Sequence, residues 1–223
     1  MPVLTDSYQK ILADARQKRA TLIAVSKTKP VSDIQALYES GHRDFGENYV
    51  QELTEKQPLL PDDIRWHFIG HLQSNKVKYI APFVYMIHGV ESLKLLREIN
   101  KQGAKCSRKI KCLLQVFVAR EETKFGLDEL ELNELLKQVN ETDEMEFVQI
   151  CGLMAMASFT DNKDQVRSEF KTVKRMFDDV KEKFFYHDDD FSQISMGMSS
   201  DYIIALEEGS TMIRVGSLIF GER

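Results

Sequence analysis

Cysteines are scarce in this sequence, and no two of them stand at a metal-binding spacing. The three cysteines, Cys106, Cys112 and Cys151, are an odd number, and no Cys-x-x-Cys motif is present. This pattern argues against a disulfide-stapled secreted scaffold and against a zinc framework. We therefore expect no metal site, and we expect the protein in the reducing cytoplasm.

Long apolar runs and an excess of positive charge are also missing. No apolar run approaches the length of a membrane span. The polar N-terminal stretch, residues 1–20, lacks the apolar centre of a secretory signal. The 223 residues carry a net charge of -5, which argues against a DNA or RNA footprint. We expect neither a membrane nor a nucleic acid as partner.

Short apolar runs alternate with amphipathic, helix-like stretches along the chain. Repeated βα units predict parallel strands with right-handed crossovers, and eight such units close into a (β/α)8 TIM barrel. We expect one domain over residues 1–223 with an extra helix in residues 1–20 outside the barrel; a doubly wound open sheet is the alternative. The predicted strands are 22–27, 44–48, 65–70, 84–90, 109–118, 149–156, 193–198 and 212–216. The predicted helices between them are 33–40, 49–57, 75–81, 92–102, 128–141, 163–184 and 201–208.

A lysine follows the first predicted strand directly. The apolar residues 22–25 lead into Lys27, and Pro30 ends the segment. Desolvation at the end of a buried strand lowers a lysine pKa and frees the neutral amine. A neutral amine can form a Schiff base with a carbonyl compound. The alternative is an ordinary strand-end lysine with its ammonium group in water.

The last two predicted strands end in glycine-containing turns, at residues 195–201 and 214–217. In a TIM barrel, the loops after strands seven and eight form the usual phosphate site. Strands one and eight are neighbours in a closed barrel, so Lys27 would face these turns and Arg214. An aldehyde that carries a phosphate, such as pyridoxal phosphate (PLP), fits this combination. The alternatives are a tight turn with a serine N-cap and an arginine in a core salt bridge.

Three further patterns have simple structural interpretations. His67, between two aromatic residues, is expected to be a hydrogen-bonded core histidine. Met154 and Met156 are, from the pattern alone, expected to be packing residues. Ser32 and Gln35 have the spacing of a capping box, which predicts the start of the first crossover helix.

Six segments, in this order, resemble the pyridoxal phosphate homeostasis family, the YggS/PROSC-like proteins. Together they extend from about residue 22 to the last predicted strand, and as a set they are highly specific. The segments are AVSKTKP (24–30), FGENYVQE (45–52), WHFIGHLQSNK (66–76), GLM (152–154), SMGMS (195–199) and GSTMIRVG (209–216).

The resemblance implies a role for several of these residues. Lys27 matches the lysine that forms the internal aldimine with PLP. Ser199 and the backbone of Met198 match the phosphate-binding turn. Gly216 matches an amide that helps to hold the phosphate, and Arg214 matches the arginine that faces the pyridine nitrogen.

Two more positions and the function also follow from the resemblance. Asn48 and Met154 match positions that line the cofactor pocket. The implied fold is the PLP-binding barrel shared with alanine racemase, and the implied function is intracellular PLP (vitamin B6) homeostasis without strong turnover. Apo PLP enzymes are the implied recipients, and we expect a monomer.

A carrier is favoured over an enzyme for two reasons. An arginine at the pyridine nitrogen weakens carbanion chemistry, and the chain is expected to lack the second domain that supplies a racemase base. The alternatives are a PLP-dependent racemase or lyase that uses a base within the barrel, and a cofactor-free Schiff-base aldolase.

Overall fold

The strands of the protein form a closed parallel barrel in a computed structural model that describes residues 4–118, 126–142 and 145–221. Each strand pairs with the next along the chain, and the last pairs with the first. The strands are β1 (Thr21–Val25), β2 (Asp44–Glu47), β3 (Arg65–Phe68), β4 (Met86–Val90), β5 (Ile110–Gln115), β6 (Val148–Met154), β7 (Gln193–Ser195) and β8 (Met212–Val215). The predicted TIM-barrel fold and all eight predicted strands are confirmed.

Helices cover the outside of this barrel. In the described part of the chain they are α1 (Thr5–Gln17), α2 (Val31–Glu39), α3 (Val50–Lys56), α4 (Val77–Ile80), α5 (Leu93–Cys106), α6 (Glu129–Asn140), α7 (Lys163–Phe184), α8 (Tyr202–Glu207) and α9 (Ser217–Phe220). Short 3-10 turns cover Gln57–Leu59 and Ser74–Lys76. Helix α7 has its predicted bounds, and α1 confirms the extra N-terminal helix. Within the described residues, none of the helices has the length and apolar character to cross a bilayer.

Two local predictions need correction. Helix α2 begins at Val31 with Pro30 as its N-cap and no side-chain cap, so the predicted Ser32–Gln35 capping box is wrong. A proline fixes φ and needs no amide partner, which suits it to a helix start. The capping box lies instead at α6, where Asp128 and Glu131 bond each other's backbone amides. Helix α9 was not predicted, because four residues carry no periodic signal.

The closure between β1 and β8 positions the functional end of the barrel. Ile23 pairs with Arg214 and Ala24 pairs with Val215 in parallel register. Since both strands run in the same direction, the loops that follow them leave the barrel at the same end. The loop with Lys27 and the end of β8 are therefore neighbours, as predicted, although they lie far apart in the sequence.

The barrel interior contains a small apolar layer and a group of buried polar side chains. The apolar layer consists of Ile23, Met86, Leu113, Cys151, Met154 and Met212. The polar side chains that also lie on the strands include His67, His88, Ser195 and Arg214, all of them buried. Buried polar groups need hydrogen-bond partners, so this part of the core is held together by directional bonds as well as by packing.

Candidate functional site

A cavity of about 320 Å³ opens at the carboxyl ends of β1 and β8. This is the end where barrels of this type carry their sites, and the volume suits a small molecule. Six of the seven residues predicted to bind a cofactor line the cavity: Lys27, Asn48, Met198, Ser199, Arg214 and Gly216. The chain brings these residues together from the ends of four strands.

The seventh predicted residue, Met154, lies below the cavity. Among the described residues, the cavity wall includes Met156 but not Met154. Met154 is 1% exposed and packs in the apolar layer of the barrel with Ile23 and Met86. Strand β6 ends at Met154, and Met156 lies two residues further along, at the barrel mouth.

Several other wall residues were not predicted to bind a cofactor, and one of them, Met156, was expected only to pack. They are Val25, Thr28, Lys29, Ile69, Met156, Ser217 and Gly221. Five of them lie within two positions of a predicted residue, and that proximity was the signal available for them. Lys29 donates hydrogen bonds to the carbonyl oxygens of Phe220 and Gly221, at 3.0 and 3.1 Å, and so ties the first loop to the last helix.

Both chain neighbours of Lys27 are fixed by hydrogen bonds. The Ser26 hydroxyl donates to Glu47 Oε1 at 2.7 Å, and the Thr28 amide donates to Glu52 Oε1 at 2.5 Å. Thr28 has a φ of 63°, a left-handed conformation that strains a β-branched residue. These contacts hold the strained loop, and they determine where the partly buried Lys27 leaves the backbone.

A buried lysine connects these anchors. Lys56 Nζ donates to Glu47 Oε1 at 2.7 Å, to Glu52 Oε1 at 2.6 Å and to the Ser26 carbonyl at 2.8 Å. Burial raises the pKa of Glu47, and the Lys56 charge opposes that rise. A buried charge is stable only with such a partner, so the network under Lys27 acts as one unit.

The turn after β7 is tight and depends on a glycine. Gly197 has a φ of 94°, and a Cβ there would lie 2.5 Å from the Cβ of Ala205. The Met198 amide donates to Asp201 Oδ1 at 2.6 Å, so this amide is already engaged within the turn. The Gly216 amide donates to Ser199 Oγ at 3.4 Å, which joins the two phosphate-type turns at the cavity wall.

Arg214 lies at the floor of the cavity and is only 4% exposed. Its Nη1 donates to Ser195 Oγ at 2.7 Å, and its Nη2 donates to the Ala155 carbonyl at 3.0 Å. Burial lowers the pKa of Arg214 to about 10. The guanidinium therefore stays protonated at neutral pH and places a fixed positive charge at the floor.

His67 is the hydrogen-bonded core histidine that the sequence predicts. It is fully buried, and its Nε2 lies 3.1 Å from Asp44 Oδ1 while its Nδ1 lies 3.0 Å from His88 Nε2. Sequence reasoning did not single out His88, because it stands alone in an apolar strand segment.

Comparison with known protein families defines the class of protein. The model of the alanine racemase N-terminal domain family matches residues 4–223. An alanine racemase from Clostridium difficile shares the fold with a TM-score of 0.74 at 13% identity, over all of this chain and 59% of the racemase chain. The barrel therefore belongs to the alanine racemase N-terminal type.

Closer relatives narrow the assignment. Pyridoxal phosphate homeostasis proteins from Aquifex aeolicus and Homo sapiens are each 38% identical to this chain; the matches cover 92% and 91% of it, and 87% and 76% of the relatives. PipY of Synechococcus elongatus, solved with PLP bound, is 34% identical with a TM-score of 0.85, over 94% of this chain and 98% of PipY. This chain belongs to the pyridoxal phosphate homeostasis protein family.

Proposed function

We propose that this protein binds PLP in the cavity between β1 and β8 and takes part in intracellular PLP homeostasis. The observation that carries the proposal is the meeting of Lys27, Arg214 and the Met198–Ser199 part of the turn after β7 at one cavity wall. Its support from relatives is that PipY has been solved with PLP bound and that related proteins are named for PLP homeostasis.

Lys27 supplies the amine for a reversible covalent bond. In its unprotonated form, Nζ would attack the aldehyde carbon of PLP, with a carbon–nitrogen double bond forming as the carbonyl oxygen leaves as water. Addition of water reverses the step and releases the aldehyde. The exchange needs no oxidant or reductant, so the protein can hold PLP and give it up unchanged.

The polar groups of the cavity suit the other parts of PLP. The Ser199 hydroxyl and the Gly216 amide lie where a phosphate group would need donors. Close packing also restricts this wall, since a Cβ on Gly216 would lie 3.1 Å from the Val25 carbonyl oxygen. Asn48 Oδ1 is buried without a hydrogen-bond partner among the described residues, and a polar ligand would supply one.

Arg214 favours a carrier over an amino-acid enzyme. A protonated guanidinium at the pyridine nitrogen keeps that nitrogen unprotonated, because two positive charges in contact repel each other. An unprotonated ring is a weak electron sink, which disfavours carbanion chemistry. We therefore propose binding and release, with weak or no turnover of amino acids.

The first experiment combines spectroscopy with chemical trapping. Purified protein is mixed with PLP, its visible spectrum is recorded, and borohydride is added before peptide mapping. We expect a yellow band that borohydride fixes onto the peptide containing Lys27. Lys27→Ala should lose the band and the adduct, whereas Lys78→Ala, on an exposed lysine of α4, should keep both.

The other outcomes separate the alternatives. A protein that gains no band with PLP would refute the proposal and favour a cofactor-free aldolase. Steady turnover of an amino acid by the loaded protein would favour a PLP-dependent racemase or lyase.

We propose that apo PLP enzymes receive the cofactor from a monomeric, cytoplasmic protein. The three cysteines are all free thiols, which suits a reducing compartment. Loaded protein mixed directly with an apo PLP enzyme should restore the activity of that enzyme. Light scattering should give the mass of one chain.

A further inference from the structure

A continuous row of buried polar side chains crosses the inside of the barrel from β2 to β8. Asp44 Oδ1 lies 3.1 Å from His67 Nε2, and His67 Nδ1 lies 3.0 Å from His88 Nε2. His88 Nδ1 lies 2.9 Å from Ser195 Oγ, which in turn lies 2.7 Å from Arg214 Nη1. We call Asp44, His67, His88, Ser195 and Arg214 the interior relay.

The far end of the relay fixes the direction of its hydrogen bonds. Arg65 donates two hydrogen bonds to the Asp44 carboxylate, at 2.7 and 2.5 Å. Burial raises the pKa of Asp44, but the hydrogen bonds from Arg65 and His67 outweigh burial and hold the pKa well below its usual range. Asp44 therefore only accepts, and His67 Nε2 must carry a hydrogen.

The two imidazoles keep the same donor-to-acceptor direction along the row. Burial lowers the pKa of both His67 and His88, so both rings are neutral and each has one donor and one acceptor nitrogen. With its Nε2 donating to Asp44, His67 accepts at Nδ1 from His88 Nε2. His88 then accepts at Nδ1, and its partner there must donate.

Ser195 completes the row at the cavity. Its hydroxyl donates to His88 Nδ1, and the same oxygen accepts from Arg214 Nη1. Every donor in the relay thus points from Arg214 toward Asp44, and every acceptor faces Arg214. Hydrogen bonds aligned in this way polarise one another in a low-dielectric interior.

The aligned row bears on the burial of the positive charge of Arg214. The guanidinium is buried, and among the described residues it forms no direct ion pair. An isolated buried charge is costly. The nearby Asp201 carboxylate opposes the lowering of the Arg214 pKa, and the aligned row links the guanidinium by hydrogen bonds to a second carboxylate, Asp44, at the far end of the row.

We propose that the interior relay holds Arg214 in one orientation as a charged donor toward the ring nitrogen of PLP, and that Asp44, His67, His88 and Ser195 are positioning residues for it. The inference rests on the proposed function, because it assigns a task to Arg214 in the PLP cavity. None of the four positioning residues lines that cavity.

The test interrupts the relay near the cavity and at its far end, with a matched control for each. Ser195→Ala removes the hydroxyl between Arg214 and His88. Ser210→Ala removes a buried hydroxyl whose partners, among the described residues, are backbone carbonyls. Asp44→Asn removes the charge at the far end, and Asp63→Asn removes an exposed carboxylate that bonds Tyr38 and Arg43.

The measured quantities are the PLP dissociation constant, by equilibrium dialysis, and the position of the visible band of the loaded protein. Ser195→Ala should weaken PLP binding about tenfold, the scale of one hydrogen bond to a charged group. Ser195→Ala should also shift the visible band, and Asp44→Asn should shift it in the same direction, although Asp44 lies at the other end of the relay. The two controls should match the wild type.

The relay would be overturned if the visible band of the loaded protein moves in Ser195→Ala but not in folded Asp44→Asn. Equal effects of Ser195→Ala and Ser210→Ala on PLP binding would overturn it as well. If circular dichroism shows Asp44→Asn to be unfolded, His67→Gln interrupts the row one bond further along and is judged by the same criteria. A wild-type protein without any PLP band would refute the proposed function itself, which is a different result.

Discussion

At the residue scale, the turn after β7 depends on the absence of a side chain at Gly197. Its φ of 94° favours glycine, and any Cβ would also lie 2.5 Å from Ala205. Gly41 has a similar φ of 98°, but a Cβ there would meet nothing within 4 Å. The two glycines thus separate backbone strain from steric overlap.

We expect Gly197→Ala to lower the free energy of unfolding more than Gly41→Ala does. Both substitutions strain the backbone, by about 1 kcal/mol, and only the first adds an overlap, worth roughly 1–3 kcal/mol. Urea unfolding of the two variants measures the difference. Equal losses would mean that the turn shifts at no cost, and Gly197→Ala would then also leave PLP binding unchanged.

At the element scale, the sequence predicts the barrel well and the strand ends less well. Seven of the eight predicted strands extend one to three residues beyond their observed carboxyl ends. Five of the extra residues leave the sheet and form part of the cavity wall: Lys27, Asn48, Met156, Met198 and Gly216. At these positions the sequence does not distinguish the last residues of a strand from the first residues of the cavity wall.

The interior relay could not be predicted from the sequence. Its members lie on five strands, and His88 and Ser195 are 107 positions apart. Hydrophobic periodicity shows which residues face inward, but not which inward residues meet across a barrel. The six predicted residues that line the cavity were predictable because local motifs carry them. For β6, the cavity wall includes Met156, two residues beyond the predicted Met154.

Helix α6 provides a test of how packing holds the outer layer. Leu136 is fully buried, whereas Leu130 on the same helix is 83% exposed. Leu136→Ala should lower the free energy of unfolding by about 2–5 kcal/mol, because it leaves a cavity in the core. Leu130→Ala should change it by less than about 0.5 kcal/mol, and chemical denaturation of both variants measures the contrast. Similar losses would contradict this packing of α6.

At the scale of the whole molecule, the buried histidines make stability depend on pH. Burial lowers the pKa of His42, His67 and His88 in the folded protein, whereas an unfolded histidine titrates near its ordinary value of about 6.5. As the pH falls below that value, the unfolded chain binds protons that the folded protein does not. The stability is therefore present above about pH 6.5 and is lost on acidification.

We expect the free energy of unfolding to fall between about pH 7.5 and 5.5, by up to about 1.4 kcal/mol per pH unit for each histidine that titrates fully. Urea titrations across this range measure the slope. His42→Gln should make the slope shallower, because it removes one of the three groups. A stability that is constant or rises on acidification would contradict the buried, neutral state of these rings.

The closure of β1 against β8 has a consequence for synthesis on the ribosome. Lys29 and its partner Phe220 are 191 positions apart, so the two walls of the cavity are translated at different times. At about 5–20 residues per second, roughly 10–40 s pass between them. During that interval the nascent chain contains Lys27 but lacks the turns after β7 and β8 that would hold a phosphate. Stable capture of the ligand therefore marks the moment when the last strand has docked.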